Sequence, residues 1–341
     1  MSRGARSAQT PKVLSKQRAG TVAAGPAKRR NTWWSKHERA LAPYLFLTPF
    51  ALLFVVVLLG PFGFAAWLSL HEWNGFGSFE PKGMTNYREL FGSPEFRAAV
   101  GNSLIFAVCI LVSLIPASLL LAVALHARRL RGRTLLRSVF VAPTAVSTAA
   151  VAVVFILVFD PRYGLVNAGL IRVFGGDGID WIGEAWPARV SIMLVVFWRS
   201  LGLTVLFFLA GLQNISQEQI DAARVDGANG RQVFRHVTLP GLRPMTAFVT
   251  VVGIISMLQL FEEPFLLTNG GPAGSTQTIV QLSYEAAFVD GRFGYAASIG
   301  VVLVVAILVG AAVLALVSRL RSAVERQRLR PEASHGRVAK T

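Results

Sequence analysis

Charge is scarce in this chain, and negative charge is scarcer still. Of 341 residues, 15% are charged, with 18 Asp and Glu against 34 Lys and Arg. A soluble domain of this length carries nearer ~25% charged residues, so the deficit argues against an ordinary water-soluble fold. There is one cysteine, Cys109, inside an apolar run. That excludes an intrachain disulfide and a metal site of the cysteine type. The five histidines, His37, His71, His126, His236 and His335, are scattered over tails and loops and form no candidate metal cluster. No Gly-x-x-x-x-Gly-Lys-Ser/Thr string is present, so the chain cannot cradle ATP phosphates by itself. Zinc-protease and nucleophile-elbow signatures, His-Glu-x-x-His and Gly-x-Ser-x-Gly, are also missing. No catalytic residue, no metal site and no bound cofactor are expected.

What the chain has instead is long apolar runs, in a composition that is 53% hydrophobic. They are Ala40–Leu70, Ala98–Leu125, Ser138–Phe159, Val190–Gln217 (interrupted only by Arg199), Pro244–Phe261 and Phe293–Ser318. Each approaches or exceeds the roughly 20 residues that a helix needs to cross a bilayer. Six spans are therefore expected, the fifth running on past Glu262 and Glu263. Pro49, Gly60, Pro61 and Gly63 predict a kink in the first. Lys and Arg divide 26 to 7 between alternate connections, with Arg199 left inside a span. That asymmetry is the positive-inside pattern and places both termini in the cytoplasm. Six crossings prevent the charges from gathering on one face, so nucleic acid is not an expected partner despite the net charge of +16. The basic tails are topology signals or touch anionic membrane lipid. Residues 1–39 read as a basic, disordered cytoplasmic tail, and 321–341 as a second tail. The first apolar run is too long for the core of a cleavable signal peptide.

Several polar groups lie within the apolar runs. Arg199 follows Trp198 in the fourth, and Glu262 and Glu263 lie at the outer part of the fifth. Gln259, three residues before Glu262, shares its face if the helix is continuous. Asn102 is a further candidate in the second run. Such groups either line a polar path or pair with each other. The alternatives are snorkelling of Arg199 and an interhelical hydrogen bond from Asn102. The outer connection from Asp160 to Trp186 holds Asp160, Asp177, Asp180, Glu184, Trp181 and Trp186. These face a ligand or receptor, or merely solvent and the interface.

Between the fourth and fifth runs lies a polar segment from Gln219 to Pro240. Ser216 with Gln219 reads as a capping box. Glu218 suits the first helical turn. Gly227 and Gly230 predict a bend, after which a short helix carries Phe234 and Val237 on one face. Pro240 and Pro244 stop it. The expected product is a helix–turn–helix elbow between two membrane helices.

Asp221-Ala222-Ala223, three residues, Asp226-Gly227-Ala228, and then Phe234, Val237 and Leu239-Pro240 reproduce the spacing of the EAA loop of bacterial ABC importers. The first position is Asp221 where that family usually has Glu. Phe140-Val-Ala-Pro143, Gly164-Leu-Val-Asn167, Leu209-Ala-Gly-Leu-Gln213, Leu267-Thr-Asn-Gly-Gly-Pro272 and Phe293-Gly-Tyr-Ala-Ala297 resemble strings of carbohydrate permeases of the maltose and glycerol-3-phosphate type. Within such pairs, the chain resembles the first partner. The resemblance spans roughly residues 40–320. It implies an all-α, six-helix, MetI-like permease fold over 40–320, with a coupling loop at about 214–243. It also implies import of a di- or oligosaccharide or related polyol across the bacterial cell membrane by alternating access. The implied partners are a second permease, two ATP-binding subunits that use the ATP, and an extracytoplasmic sugar-binding protein. The rival reading is an ion-coupled secondary transporter, for which internal repeats or broken helices with midplane carboxylates are expected. No clear repeat is present.

Overall fold

Among the described residues, four helices are long and apolar enough to cross a membrane: α1 (Phe46–Leu68), α3 (Pro94–His126), α7 (Ala185–Gln213) and the Phe293–Val313 part of the last helix. Two further helix pairs reach the length and hydropathy of a span only when taken together across a bend. Helices α4 (Arg133–Ala145) and α5 (Thr148–Val158) meet at 97°, and α9 (Gly230–Gly241) and α10 (Arg243–Leu258) at 58°. The structure is a computed structural model and describes Tyr44 and residues 46–126 and 132–328. The expected tail over 1–39, most of the basic turn after His126, and residues 329–341 lie outside the described residues. Short helices α2 (Thr85–Gly92), α6 (Leu165–Phe174), α8 (Gln217–Val225), α11 (Glu262–Thr268) and α12 (Ile279–Val289) fill the connections. The last helix, α13, continues from Phe293 to Arg328, into the region read as a C-terminal tail. Among the described residues one departure from the all-α expectation is found. A two-residue antiparallel ladder pairs His71 with Pro81 and Glu72 with Glu80.

The chain divides into two units, residues 1–59 and 60–341. In the first, residues 46–59 of α1 are exposed and apolar and contain a wide i→i+5 turn at Phe54–Leu59. The second unit packs around α3 and α7. Phe106, Ile110 and Leu114 of α3 meet Ile192 and Val195 of α7 and Phe159 after α5 in one buried cluster. Ala122 and Leu125 meet Phe208, Leu209 and Leu242 in another. In lipid, such contacts hold by close packing rather than by escape from water, so small residues matter. A Cβ on Gly202 would lie 1.9 Å from the carbonyl oxygen of Phe140, and one on Gly253 2.5 Å from Leu111.

Two expectations about the spans are corrected. The third apolar run is not one helix. Pro143 weakens its hydrogen bonding, and Val146-Ser147-Thr148 then supplies three residues of modest helix propensity. Val146 and Ser147 adopt extended ψ angles of 138° and 134°, and a second helix starts at Thr148. Nor does the fifth run on through the glutamates. It ends at Leu258, and α11 restarts at Glu262. Pro264 has no N–H, and in a continuous helix its ring would clash with the carbonyl of Leu260. That carbonyl instead accepts a hydrogen bond from buried Thr278 Oγ1 at 2.7 Å.

Candidate functional site

The two breaks face one cavity. About 510 Å³ in volume, it is lined by Val146, Ser147, Thr148 and Ala149 at the first break, by Arg199 of α7, and by Phe261, Glu262, Phe265 and Leu266 at the second. The volume is typical of small-molecule sites, roughly 300–1,000 Å³. Non-helical backbone in a membrane protein is tolerated where it is buried in protein or lines a wet cavity, and both breaks meet that condition.

Charge in the cavity is organised around one ion pair. Arg199 Nη1 donates to Glu263 Oε1 at 2.5 Å. Glu263 is 8% exposed, so the pair joins unbroken α7 to the segment beyond the break. The pairing option for Arg199 and Glu263 is the one adopted. Arg199 Nε is buried with no hydrogen-bond partner among the described residues. Glu262 points elsewhere than its neighbour and is exposed at the cavity wall. Beside it Phe261 and Phe265 stack with centroids 5.1 Å apart and an 18° interplanar angle, and Tyr284 packs on both.

The other expected path residues lie outside this cavity. Gln259 is exposed and caps α10, because the break ends the helix on which it was to share a face with Glu262. Trp198 is 41% exposed and packs on Phe155. Asn102, 4% exposed, gives its amide protons to the Gly274 and Gln277 carbonyls at 2.8 and 3.0 Å, and its Oδ1 accepts from Arg189 at 3.1 Å. Arg189 also donates to Ser275 O at 2.9 Å. Asn102 and Arg189 thus fasten the loop that follows Leu267-Thr-Asn-Gly-Gly-Pro272 to α3 and α7. The acidic and aromatic residues of the outer connection are largely structural too. Asn167 bonds Pro161, Ile179 and the Trp181 ring nitrogen, while Asp160 and Asp180 accept from nearby backbone amides. Gly164 is obligatory, since a Cβ would meet Asp160 O at 2.4 Å. The cavity walls at 146–149 and the roles of Phe261, Phe265 and Thr278 are not evident from intramembrane charge. The available signals were Pro143 with its β-branched sequel, and the Glu-Glu-Pro string.

The polar elbow has its own geometry. Helix α8 starts after Ser216, but the Ser216 side chain makes no cap bond, so the box expected with Gln219 does not form. A capping box forms instead at the start of the next helix: Asn229 and Gln232 cap α9 reciprocally at 2.8 and 3.0 Å. Between them α8 closes with a Schellman motif. Ala228 N–H donates to Ala223 O at 2.9 Å, and Gly227 N–H to Arg224 O at 3.0 Å. Gly227 has φ +85°, a conformation that favours glycine. The spacing from Ala223 to Gly227 is therefore the spacing of a helix stop. Ala222 O accepts from Asp226 N in the same turn, at 3.0 Å. Asp221 is exposed, bonded by Gln217 and paired with Arg224 at 3.5 Å. Phe234 and Val237 fall in a wide turn, Phe234–Thr238, rather than on one α-helical face. Buried Val233 and Leu242 anchor this limb, and Leu239 and Pro240 follow the wide turn. No residue of α8 is buried, and Val225 is 87% exposed. The first limb of the elbow, α8, is thus uncovered.

Residues 115–322 match the family model described as binding-protein-dependent transport system inner membrane component. The arabinooligosaccharides transport system permease protein AraP of Bacillus subtilis is 33% identical over 296 residues, covering 86% of this chain and 94% of that protein. The diacetylchitobiose uptake system permease protein NgcF of Streptomyces coelicolor is 30% identical, covering 91% of each chain. Among solved structures, a bacterial ABC transporter involved in import of the acidic polysaccharide alginate superposes with a TM-score of 0.73 at 24% identity, over 84% of this chain and 98% of that one. The family match, not the absence of broken helices, disfavours the ion-coupled rival, since two spans are in fact broken. A match that runs through both breaks and the elbow leaves one assignment: the chain belongs to the inner membrane components of binding-protein-dependent transport systems, the multi-pass permease subunits of ABC importers.

Proposed function

We propose that this chain forms half of the path by which an ATP-driven importer moves a di- or oligosaccharide or related polyol. A second permease completes the path, two ATP-binding subunits hydrolyse the ATP, and an extracytoplasmic binding protein delivers the sugar. Relatives named for arabinooligosaccharide and diacetylchitobiose transport support the substrate class. The observation that carries the mechanism is the elbow. Its helix is uncovered, ends in a defined left-handed residue and restarts at once in a capped helix, so it can pass a rigid displacement from an ATPase into α10. Binding of ATP would move the elbow and open the cavity outward; relaxation after hydrolysis would open it inward. Both termini are cytoplasmic in this reading, and reporter fusions after residues 35 and 325 should both read cytoplasmic. The main test is Gly227→Asp. A Cβ at Gly227 would meet nothing within 4 Å, so the change acts through φ and should leave membrane insertion intact. ATPase capture and sugar uptake should both fall sharply. Asp221→Ala should do less, because an exposed ion pair contributes only ~0.2–1 kcal/mol. Wild-type capture and uptake by Gly227→Asp would remove the coupling assignment.

A further inference from the structure

The charges on this chain's part of the cavity wall are unevenly paired. Arg199, the only cation on its wall among the described residues, is offset by Glu263 at 2.5 Å. Glu262 stands on the wall with no ion pair or hydrogen bond to any described residue. The lining therefore carries one uncompensated negative charge. The other groups are suited to an uncharged sugar ring. The stacked Phe261 and Phe265 offer an apolar face for ring C–H groups, and the exposed Ser147 makes no cap bond with its hydroxyl.

We propose that Glu262 is a specificity determinant: it makes this cavity favour amino sugars, accept neutral sugars and reject uronates. The proposal rests on the sugar-path reading above. A carboxylate hydrogen-bonded to an ammonium group is the stronger, charge-assisted kind of contact. A uronate brought to the same wall meets like charge, and the charge of Arg199 is already offset by Glu263. Glu263 acts by offsetting the Arg199 charge, so it is a positioning residue for the same selectivity.

The test uses one β-1,4-linked disaccharide skeleton in neutral glucosyl, glucosaminyl and glucuronosyl forms. Binding of each is measured by equilibrium dialysis against the purified complete importer, without the binding protein, at neutral pH. The wild type should bind the glucosaminyl form on the order of tenfold more tightly than the neutral one, and the glucuronosyl form least. Raising the ionic strength should weaken the first preference and leave neutral binding unchanged, a readout that needs no variant. Glu262→Gln should bring the three forms together, whereas Glu262→Asp should keep their order. Equal binding of the glucosaminyl and glucuronosyl forms by the wild type overturns the proposal, as does an order unchanged in an assembled Glu262→Gln complex. Uptake of the neutral disaccharide by the wild-type importer, measured alongside, separates this result from failure of the transport reading. Uptake with no charge preference sinks only the role of Glu262, and absence of uptake and binding of every form sinks both.

Discussion

Helices α3 and α7 cross without interruption, whereas α4–α5 and α10–α11 are broken, although all four runs are strongly apolar. Proline alone does not explain the difference, because Pro116 lies inside α3 and the helix continues for another ten residues to His126. What differs is the company of each proline. On either side of Pro116, Leu111, Leu114, Ser118 and Ala122 are buried against the rest of the bundle, so a break there would forfeit packing on both sides. At Pro264 the freed carbonyl of Leu260 has Thr278 at hand, and the restarted helix brings Glu263 to Arg199. A helix breaks where a neighbour satisfies what the break exposes, and holds where the break would only lose contacts.

The largest expected effect tests the tie between an unbroken and a broken span. Glu263→Ala would strand the Arg199 charge in a largely buried site, at a cost of about 3–5 kcal/mol. Thermal unfolding of the solubilised importer should move to markedly lower temperature. Replacing both partners together, Arg199→Met with Glu263→Leu, should recover most of the loss. A harmless Glu263→Ala would mean that the broken span is held by packing alone.

A smaller effect sharpens the account of the break itself. Thr278→Val removes the donor to Leu260 O and the cap that accepts from Gln281 N–H. An unsatisfied buried carbonyl costs about 1–3 kcal/mol, and Thr278→Ser should keep most of the stability. Hydrogen exchange should rise locally at residues 259–265 in Thr278→Val. Unchanged exchange there would remove Thr278 from the explanation.

The smallest effect sets a scale outside both classes of helix. Glu89 accepts from Arg292 at 2.7 Å in an exposed pair. The Arg292 hydrogen bond holds the Glu89 carboxyl below its ordinary value of 4.5. A depressed folded-state value means that this contribution is fully present above the ordinary value. It is lost as pH falls below that value and through the lower folded one. With both side chains nearly half exposed, solvent screening limits it to ~0–1 kcal/mol. The acid-side stability difference between wild type and Glu89→Gln should therefore be small and vanish at the acid end. A difference that persists below the folded-state value would show that Glu89 acts by packing and not by charge.

The elbow was legible in outline, because much of its information is local. Ala223 to Gly227 measures out a helix stop, and Asn229 to Gln232 a helix start, each closed by bonds within six residues. Even there the capping box expected at Ser216 does not form, and the one that does, at Asn229, opens the next helix and was not read from the sequence. Spans were legible wherever apolar length alone decides, as in α3, α7 and α13. The cavity was less so. Arg199, Glu262 and Glu263 announced themselves as charges in apolar runs, but their division of labour did not.

By itself the sequence determined that this is a multi-pass helical chain with a polar elbow before its fifth crossing. Hydropathy, charge asymmetry and turn chemistry are properties of neighbouring residues and survive without a fold. Only the tertiary structure decided that two of the crossings break, that Asn102 fastens a loop, and that Glu263 rather than Glu262 takes Arg199. Each of those outcomes depends on groups far apart in the chain: Thr278 for Leu260, Arg189 and Gly274 for Asn102, and 64 residues of separation for the ion pair. A lone buried carbonyl, amide or charge has no preferred partner until packing brings one within hydrogen-bond distance, so its role is set by the fold.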